Sequence, residues 1–344
     1  MKNWINIFPK LAKLYPPKLT LTLQLLMTFL LSFPNLCTFP PTSADEIRQI
    51  ISSLKCKTTS NSYDIPAKFL KISASSLSSW LSELFNKCMA KGEFPILLKI
   101  AQITPIPKIT SPKSPNDDRP ISILPTLSKI FEKVIYSRLY SFVTSNCILS
   151  LQQYGFRTNH STELAISAIY DGMICNKDNK LITWTLFPDV SKAFGCVDHK
   201  ILLEKLFYYG VKGTLLKLLA CYLDNSFQCT KIGDTKSSFL NVTCGVPQGS
   251  VVGPLLFLIY INDNVKASNF TVLYADDINL HISGKKHETL EKTVNPELKK
   301  SITGFVLTNY VTIIPKAISC SWTTVKISIF QFQLIITQYQ NKAA

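Results

Sequence analysis

Phe270-Thr-Val-Leu-Tyr274-Ala-Asp276-Asp277-Ile-Asn-Leu-His-Ile282 is the stretch whose reading decides the fold. Apolar and β-branched residues run up to Tyr274, two adjacent carboxylates follow, and Ile278, Leu280 and Ile282 then recur at every second position. β-prone patterning on both sides of a short polar break predicts a hairpin with the two aspartates at its tip. Carboxylates this close repel unless a cation lies between them. Mg²⁺, which takes hard oxygen ligands, is the natural candidate. Asp also favours turns for its own local hydrogen bonds, so the pair alone does not separate a metal site from a solvated turn.

Moving upstream, Gly245-Val-Pro-Gln-Gly-Ser250 reads as a tight loop, followed by an apolar helix over Val251–Ile261. Gln228–Thr243 has the pattern of a two-stranded ribbon turning at Gly233-Asp234. Helices are predicted over Thr214–Leu223 and over Ile201–Tyr209, the latter capped by Asp198 and stopped at Gly210. Leu181–Val190 reads as a buried strand with Asp189 near its end. Residues 153–162 form a loop, and Ser161 or Thr162 caps a helix to about Ile174. From Pro125, the residues Leu127, Ile130, Phe131, Val134, Ile135, Leu139 and Phe142 keep helical spacing, with Lys129, Lys133 and Arg138 as the polar complement.

Residues 94–124 hold Pro95, Pro105, Pro107, Pro112, Pro115 and Pro120, which exclude a long helix. Short β-prone pieces such as Ile100–Ile106 sit among Lys99, Lys108, Lys113 and Arg119, a spacing that suits either phosphate contact or a solvated basic loop. Residues 44–93 read as helical packing elements, with stripes at Ile47, Ile50, Ile51 and Leu54 and at Leu77, Trp80, Leu81, Leu84 and Phe85. Residues 19–33 follow Lys10, Lys13 and Lys18 in the outline of a signal peptide, but no small-x-small site follows and the run is short for a membrane span. Downstream of the hairpin, Lys285–Lys300 is polar and helix-prone, and the closing stretch is β-rich.

Lysine and arginine number 37 against 22 acidic residues, a net charge of +15 that points to a polyanionic partner. A hydrophobic content of 46% over 344 residues supports a sizeable core and excludes global disorder. The 10 cysteines form no C-x-x-C pair and no zinc-finger spacing, the usage of reduced thiols in an intracellular protein, nuclear or cytoplasmic, with no stable membrane partner.

Two-metal phosphoryl transfer needs carboxylates holding two cations ~3.5–4 Å apart, cationic groups on a triphosphate and a basic groove for a polynucleotide. Asp189 at a strand end and Asp276-Asp277 at a hairpin tip supply carboxylates that neighbouring strands of one sheet would bring together, and Lys108 and Arg119 lie in the preceding basic segment. The order Asp189-x-x-x-x-Phe194, Gly245-Val-Pro-Gln-Gly-Ser250, Tyr274-Ala-Asp-Asp277 resembles a reverse transcriptase. Asp118-Arg-Pro-Ile-Ser-Ile-Leu-Pro-Thr-Leu-Ser-Lys-Ile-Phe-Glu-Lys133, Gln153-Tyr-Gly-Phe-Arg157 and Pro247-Gln-Gly-Ser-Val-Val-Gly-Pro-Leu-Leu-Phe257 resemble non-LTR retrotransposons of the jockey/CR1 type, over about residues 45–290.

That resemblance implies an α+β right-hand polymerase with fingers and palm and the thumb largely absent. It divides the chain into a leader (1–43), a helical extension (44–93), fingers (94–180), palm (181–290) and a degenerate end of the palm (291–344). It implies RNA-directed DNA synthesis from dNTPs on an RNA template and DNA primer, with two Mg²⁺ ions. The metal ligands fall on Asp189, Asp276 and Asp277 with the Val190 carbonyl; Lys108, Arg119, Phe194 and Gln248 fall at the nucleotide, with core packing the other reading of Phe194; Gly155, Phe156 and Arg157 fall on the template side. The chain departs from the family at Pro188, where an apolar residue is usual, at Gly195, where a carboxylate is usual, and at Thr312, where a lysine is usual. Proline in a central strand predicts a bulge that displaces Asp189. These departures also allow a second reading, a retroelement remnant that binds nucleic acid without catalysis.

Overall fold

The computed structural model describes residues 36–56, 64–190, 193–263, 271–286, 290, 313–320 and 328–331. The apolar run 19–33, the predicted helix over Lys285–Lys300 and Thr312 lie wholly or mostly outside them.

Helix α1 (Ala44–Ser52) starts where the Ser43 hydroxyl accepts from the Glu46 amide, with Asp45 and Glu46 facing the positive end of the helix dipole. It packs on α3 (Ala74–Lys91), which α2 (Ala67–Ile72) precedes. The buried line of α3 is Ala74, Ser78, Leu81, Phe85 and Met89. Trp80 and Leu84 fall off that line and are 74% and 47% exposed, so the predicted stripe was wider than the real contact. Helix α4 (Thr126–Ser145) is the centre of this layer, with Ile130, Phe131, Val134, Ile135 and Leu139 fully buried. Pro125 offers no side-chain cap, and Asp64 supplies it instead, accepting from the Thr126 amide and hydroxyl at 2.7 and 2.8 Å. Phe131 stacks on Phe85 at 4.5 Å and on Phe94 at 5.0 Å.

Two sheets lie against the helices. In chain order, β1 (Ile100–Pro107) and β2 (Asp118–Ile123) enter the first sheet and β3 (Ile182–Val190) the second. Then β4 (Ser226–Ile232), β5 (Thr235–Lys236) and β6 (Leu240–Val242) return to the first, whose order is β2-β1-β4-β5 with β6 also on β4. The Gly233-Asp234 turn forms as predicted, but the return strand is broken in two, and β4 runs parallel to β1. Lys99, 6% exposed, reinforces that long-range pairing by donating to the carbonyls of Cys221 and Asp224 at the end of α7 (Gly213–Leu223). A cation suits the negative end of a helix.

The second sheet has the order β10-β9-β3-β8-β7, built from β7 (Thr271–Tyr274), β8 (Asp277–Gly284), β9 (Ile313–Cys320) and β10 (Ser328–Gln331). The expected bulge at Pro188 is not there. The β3/β9 register runs unbroken from Thr183↔Cys320 to Val190↔Ile313, and Pro188 sits opposite Pro315, so both missing donors fall on one rung. The adjoining β3/β8 ladder stops at Leu186↔Leu280. Helix α5 (Thr162–Asp178) packs on β3 and β7 of this sheet, and α6 (His199–Tyr208) packs on α8 (Gly253–Ile261). Ser161 and Asp198 cap α5 and α6 as predicted, and α5 continues past Ile174 to Asp178. Helix α8 is buried all round from Leu255 to Ile261, which its unbroken apolar sequence requires. Cysteines whose side chains are described are free thiols. Among the described residues, no helix is long and apolar enough to cross a membrane.

Arg138 anchors the segment before α1 to α4. Its side chain, 8% exposed, pairs with both Glu46 oxygens at 2.7 and 2.8 Å and donates to the carbonyl of Pro40. Arg138→Ala leaves Glu46 with the Thr42 hydroxyl at 2.7 Å but no cation, and takes a donor from the Pro40 carbonyl; it should lower unfolding free energy by about 2 kcal/mol in urea titrations. Arg138→Lys, which lacks the planar fork, should recover only part of it.

Candidate active site

The hairpin of β7 and β8 closes through Ala275 and Asp276, with Tyr274 paired to Asp277. A two-residue hairpin turn needs positive φ at its first position, and Ala275 has φ +58. For a residue with a Cβ this costs on the order of 1–3 kcal/mol and persists only where the surroundings enforce it. The surroundings here are residues 152–155. Gln153 accepts from the Ala275 amide at 3.0 Å and donates to its carbonyl at 3.3 Å. Main-chain bonds Tyr154 N–H to Leu273 O and Leu273 N–H to Gln152 O lay this loop along β7. Gly155 lies so close that a Cβ on it would stand 2.1 Å from the Ala275 nitrogen, which is why no side chain fits there. The loop is itself held from α8, where Asn262 accepts from the Ser150 amide and donates to the Ile148 carbonyl.

The loop Gly245–Val252 joins the two sheets. Its Gly245 and Val246 amides donate to the carbonyls of Val197 and Phe194, in the segment that follows β3. On its other side the Ser122 amide of β2 donates to the Gln248 carbonyl at 2.7 Å. Gly249, with φ +123, approaches so closely that a Cβ would meet the Ser122 oxygen at 2.6 Å. Phe194 stacks on the buried Phe257 of α8 at 4.5 Å and meets the edge of Phe156 at 5.9 Å. It is half-buried with one face on the core, so its packing role is real whatever else it touches.

Glu132 holds the far end of this loop. It is fully buried in α4, accepts from the amides of Val251 and Val252 at the start of α8, and accepts from the Ser128 hydroxyl at 3.1 Å. Burial pushes its carboxyl up to about 7, with the two amides, Ser128 and Lys129 pulling the other way. Tyr222 lies beside it, its phenol also driven up by burial.

The sequence-predicted residues fall as follows. Asp276 and Asp277 are exposed at the turn. Asp189 and Val190 end β3, the neighbouring strand, and the antiparallel β3/β8 register directs the end of β3 toward the start of β8. The side chains of Asp189 and Val190 lie outside the described residues. Gln248 sits in the bridging loop, and Arg119 is exposed on β2 opposite Ile106. Lys108 is exposed just past β1, its amide bound to the Asp117 carbonyl. Gly155 is buried against the turn, Phe156 is 46% exposed, and the Arg157 guanidinium donates to the carbonyls of Ser150 and Gln153. Among the described residues, no three metal-ligating side chains cluster. The exposed oxygens of Asp276 and Asp277 are nonetheless the hard donors Mg²⁺ takes, beside the end of β3, so the donor set fits that ion. Sequence reading passed over Gln153 and Glu132 as supports. Glu132 had a signal: with Ser128, Ile135 and Leu139 it falls on the apolar stripe of α4, where an acid is out of place.

A carboxyl whose folded value is raised favours folding while protonated, so its contribution is present below the ordinary value of 4.5 and lost as pH rises through about 7. Glu132→Gln keeps an acceptor for the amides and removes the titration. Between pH 5 and 8 the parent should lose roughly 2 kcal/mol relative to the variant, read as a pH-dependent gap in unfolding midpoints.

The profile of the family described as "Reverse transcriptase (RNA-dependent DNA polymerase)" matches residues 106–305. In Drosophila melanogaster, "Probable RNA-directed DNA polymerase from transposon BS" is 33% identical over 230 residues, covering 65% of this chain and 25% of that protein. "Probable RNA-directed DNA polymerase from transposon X-element" is 31% identical over 206 residues, covering 58% and 23%. "RNA-directed DNA polymerase from mobile element jockey" is 27% identical over 238 residues, covering 68% and 26%. The chain thus spans about a quarter of the length of these relatives. The profile covers the Arg119 strand, the bridging loop and the aspartate hairpin together, and the relatives come from mobile elements of the type the motifs resembled: the chain belongs to the reverse transcriptase family, in its non-LTR retrotransposon branch.

Proposed function

We propose that this chain carries out RNA-templated DNA synthesis, with β1–β2 and their sheet as fingers and the β3/β7/β8 sheet as palm. The observation that carries the reading is a juxtaposition. The end of β3 and the start of β8 lie together in one sheet, and one loop is bonded both to β2 and to the segment bearing Phe194. That arrangement supports a nucleotide site between the two sheets, bounded by template on one side and the catalytic carboxylates on the other.

In this reading Asp189, Asp276 and Asp277, with the Val190 carbonyl, would hold two Mg²⁺ ions, and the ions would supply activation of the primer 3′-hydroxyl and charge stabilisation for the leaving pyrophosphate. Arg119 and Lys108 bind the triphosphate oxygens, Arg119 by its planar fork. Phe194 lies under the sugar with its other face on Phe257, so the stack that supports the core also fixes the ring. Gln248 is aimed by a loop whose main chain is bonded on both sides. Phe156, edge-on to Phe194, continues the apolar surface toward the template. Arg157 contributes charge there while its guanidinium also closes the 150–157 loop. The net charge of +15 supplies the attraction to an RNA–DNA hybrid.

Single-nucleotide incorporation on an RNA template with a DNA primer should require Mg²⁺ or Mn²⁺. Asp276→Asn and Asp277→Asn should each lower it by more than about 100-fold, because several kcal/mol of charge stabilisation depends on the metals. Hybrid binding should survive both substitutions and weaken steeply with salt as counterions are released. Salt-dependent binding without incorporation by the parent chain would instead favour a binding remnant.

A further inference from the structure

Gln153 is 2% exposed and spends its whole amide on two neighbours. Its oxygen accepts from the Gly155 amide at 2.8 Å and from the Ala275 amide at 3.0 Å, and its nitrogen donates to the Ala275 carbonyl at 3.3 Å. Ala275 is 6% exposed and carries the positive φ on which the turn depends. Both main-chain polar groups of that one residue are thus bound by one side chain, and Asp276 and Asp277 follow it directly.

We propose that Gln153 is a positioning residue that acts through Ala275 to fix the direction in which Asp276 and Asp277 leave the hairpin. This rests on the reading of those aspartates as the metal-binding pair. A primary amide is the group that fits. It offers an acceptor to two N–H donors and a donor to one carbonyl from a single planar end. A carboxylate keeps the first and turns the second contact repulsive. An aliphatic side chain loses both and leaves buried main-chain groups unpaired. The strain at Ala275 gives the clamp its purpose. An alanine in this region returns to negative φ when released, and the next two residues turn with it. Glycine adopts positive φ without that penalty, so a glycine turn depends less on the clamp.

The test uses the full chain, with Gln153→Leu and the near-isosteric Gln153→Glu each made alone and with Ala275→Gly. Misplacement of a reacting group by about 1 Å costs on the order of 100-fold in rate. Single-nucleotide incorporation should therefore fall ~10–100-fold in kcat in Gln153→Leu, with the KM for dNTP within about twofold of the parent. Gln153→Glu should show a smaller loss of the same kind, and Ala275→Gly should restore part of kcat in both. A loss in KM alone, an unchanged kcat, or no recovery with Ala275→Gly overturns the proposal. A readout independent of activity separates this from the function it rests on. In hydrogen exchange read by mass spectrometry, peptides spanning Tyr274–Asp277 should exchange at least ~10-fold faster in Gln153→Glu, while peptides from Phe131–Leu139 stay at the parent rate. Unchanged exchange at the turn overturns the clamp even if the chain incorporates nucleotides. Faster exchange in a chain that incorporates none upholds the clamp and rejects the polymerase reading.

Discussion

Among the described residues the two sheets share no strand, so no ladder of backbone hydrogen bonds between described strands fixes one against the other. That task falls to the loop from Gly245 to Val252, bonded to Val197 and Phe194 on one side and to Ser122 on the other. Two features give it a fixed shape. Gly249 permits an approach to β2 that a side chain would block, and Glu132 receives the amides with which the loop turns into α8. The loop thereby links β2, which carries Arg119, to the segment that carries Phe194.

The buried polar groups fall into a pattern. Glu132, Gln153 and Asn262 each bind main-chain groups of a different segment far away in sequence, and each segment borders the proposed site. Apolar packing supplies most of the stability and is tolerant of small shifts. A buried hydrogen bond is not, since a donor or acceptor left without its partner costs about 1–3 kcal/mol. Polar contacts therefore set directions, while the clusters around Phe131 and α8 supply bulk. Lys99 does the same for the first sheet, reaching the carbonyl end of α7 from the start of β1. The strain at Ala275 shows the logic most plainly, because a single amide side chain holds a conformation the residue would not choose.

Much of this was legible in the sequence, for local reasons. The apolar spacing of α4, the Ser161 and Asp198 caps and the aspartate hairpin each leave a periodic or capping trace within a few residues. The parallel pairing of β1 with β4 and the long β3/β9 ladder leave none, since the partners lie more than a hundred residues apart. Pro188 was misread for that reason, because its effect depends on Pro315 across the rung. Trp80 was overread, since spacing alone places a residue near a stripe without saying how wide the contact is. The motif residues of the site were legible through resemblance, but their supports were not. Gln153 lies inside a recognisable block whose sequence does not say that its amide reaches Ala275.

The central claim is that the ends of β3 and β8 form one two-metal site served by both sheets. Anomalous diffraction from Mn²⁺-containing crystals of the chain with an RNA–DNA hybrid and a non-reacting dNTP analogue tests it most directly. The account predicts two peaks ~3.5–4 Å apart, bounded by the carboxylates of Asp189, Asp276 and Asp277, with the triphosphate between them and Arg119. Metal peaks away from Asp276 and Asp277, or a nucleotide bound on one sheet without contact to the other, would contradict it.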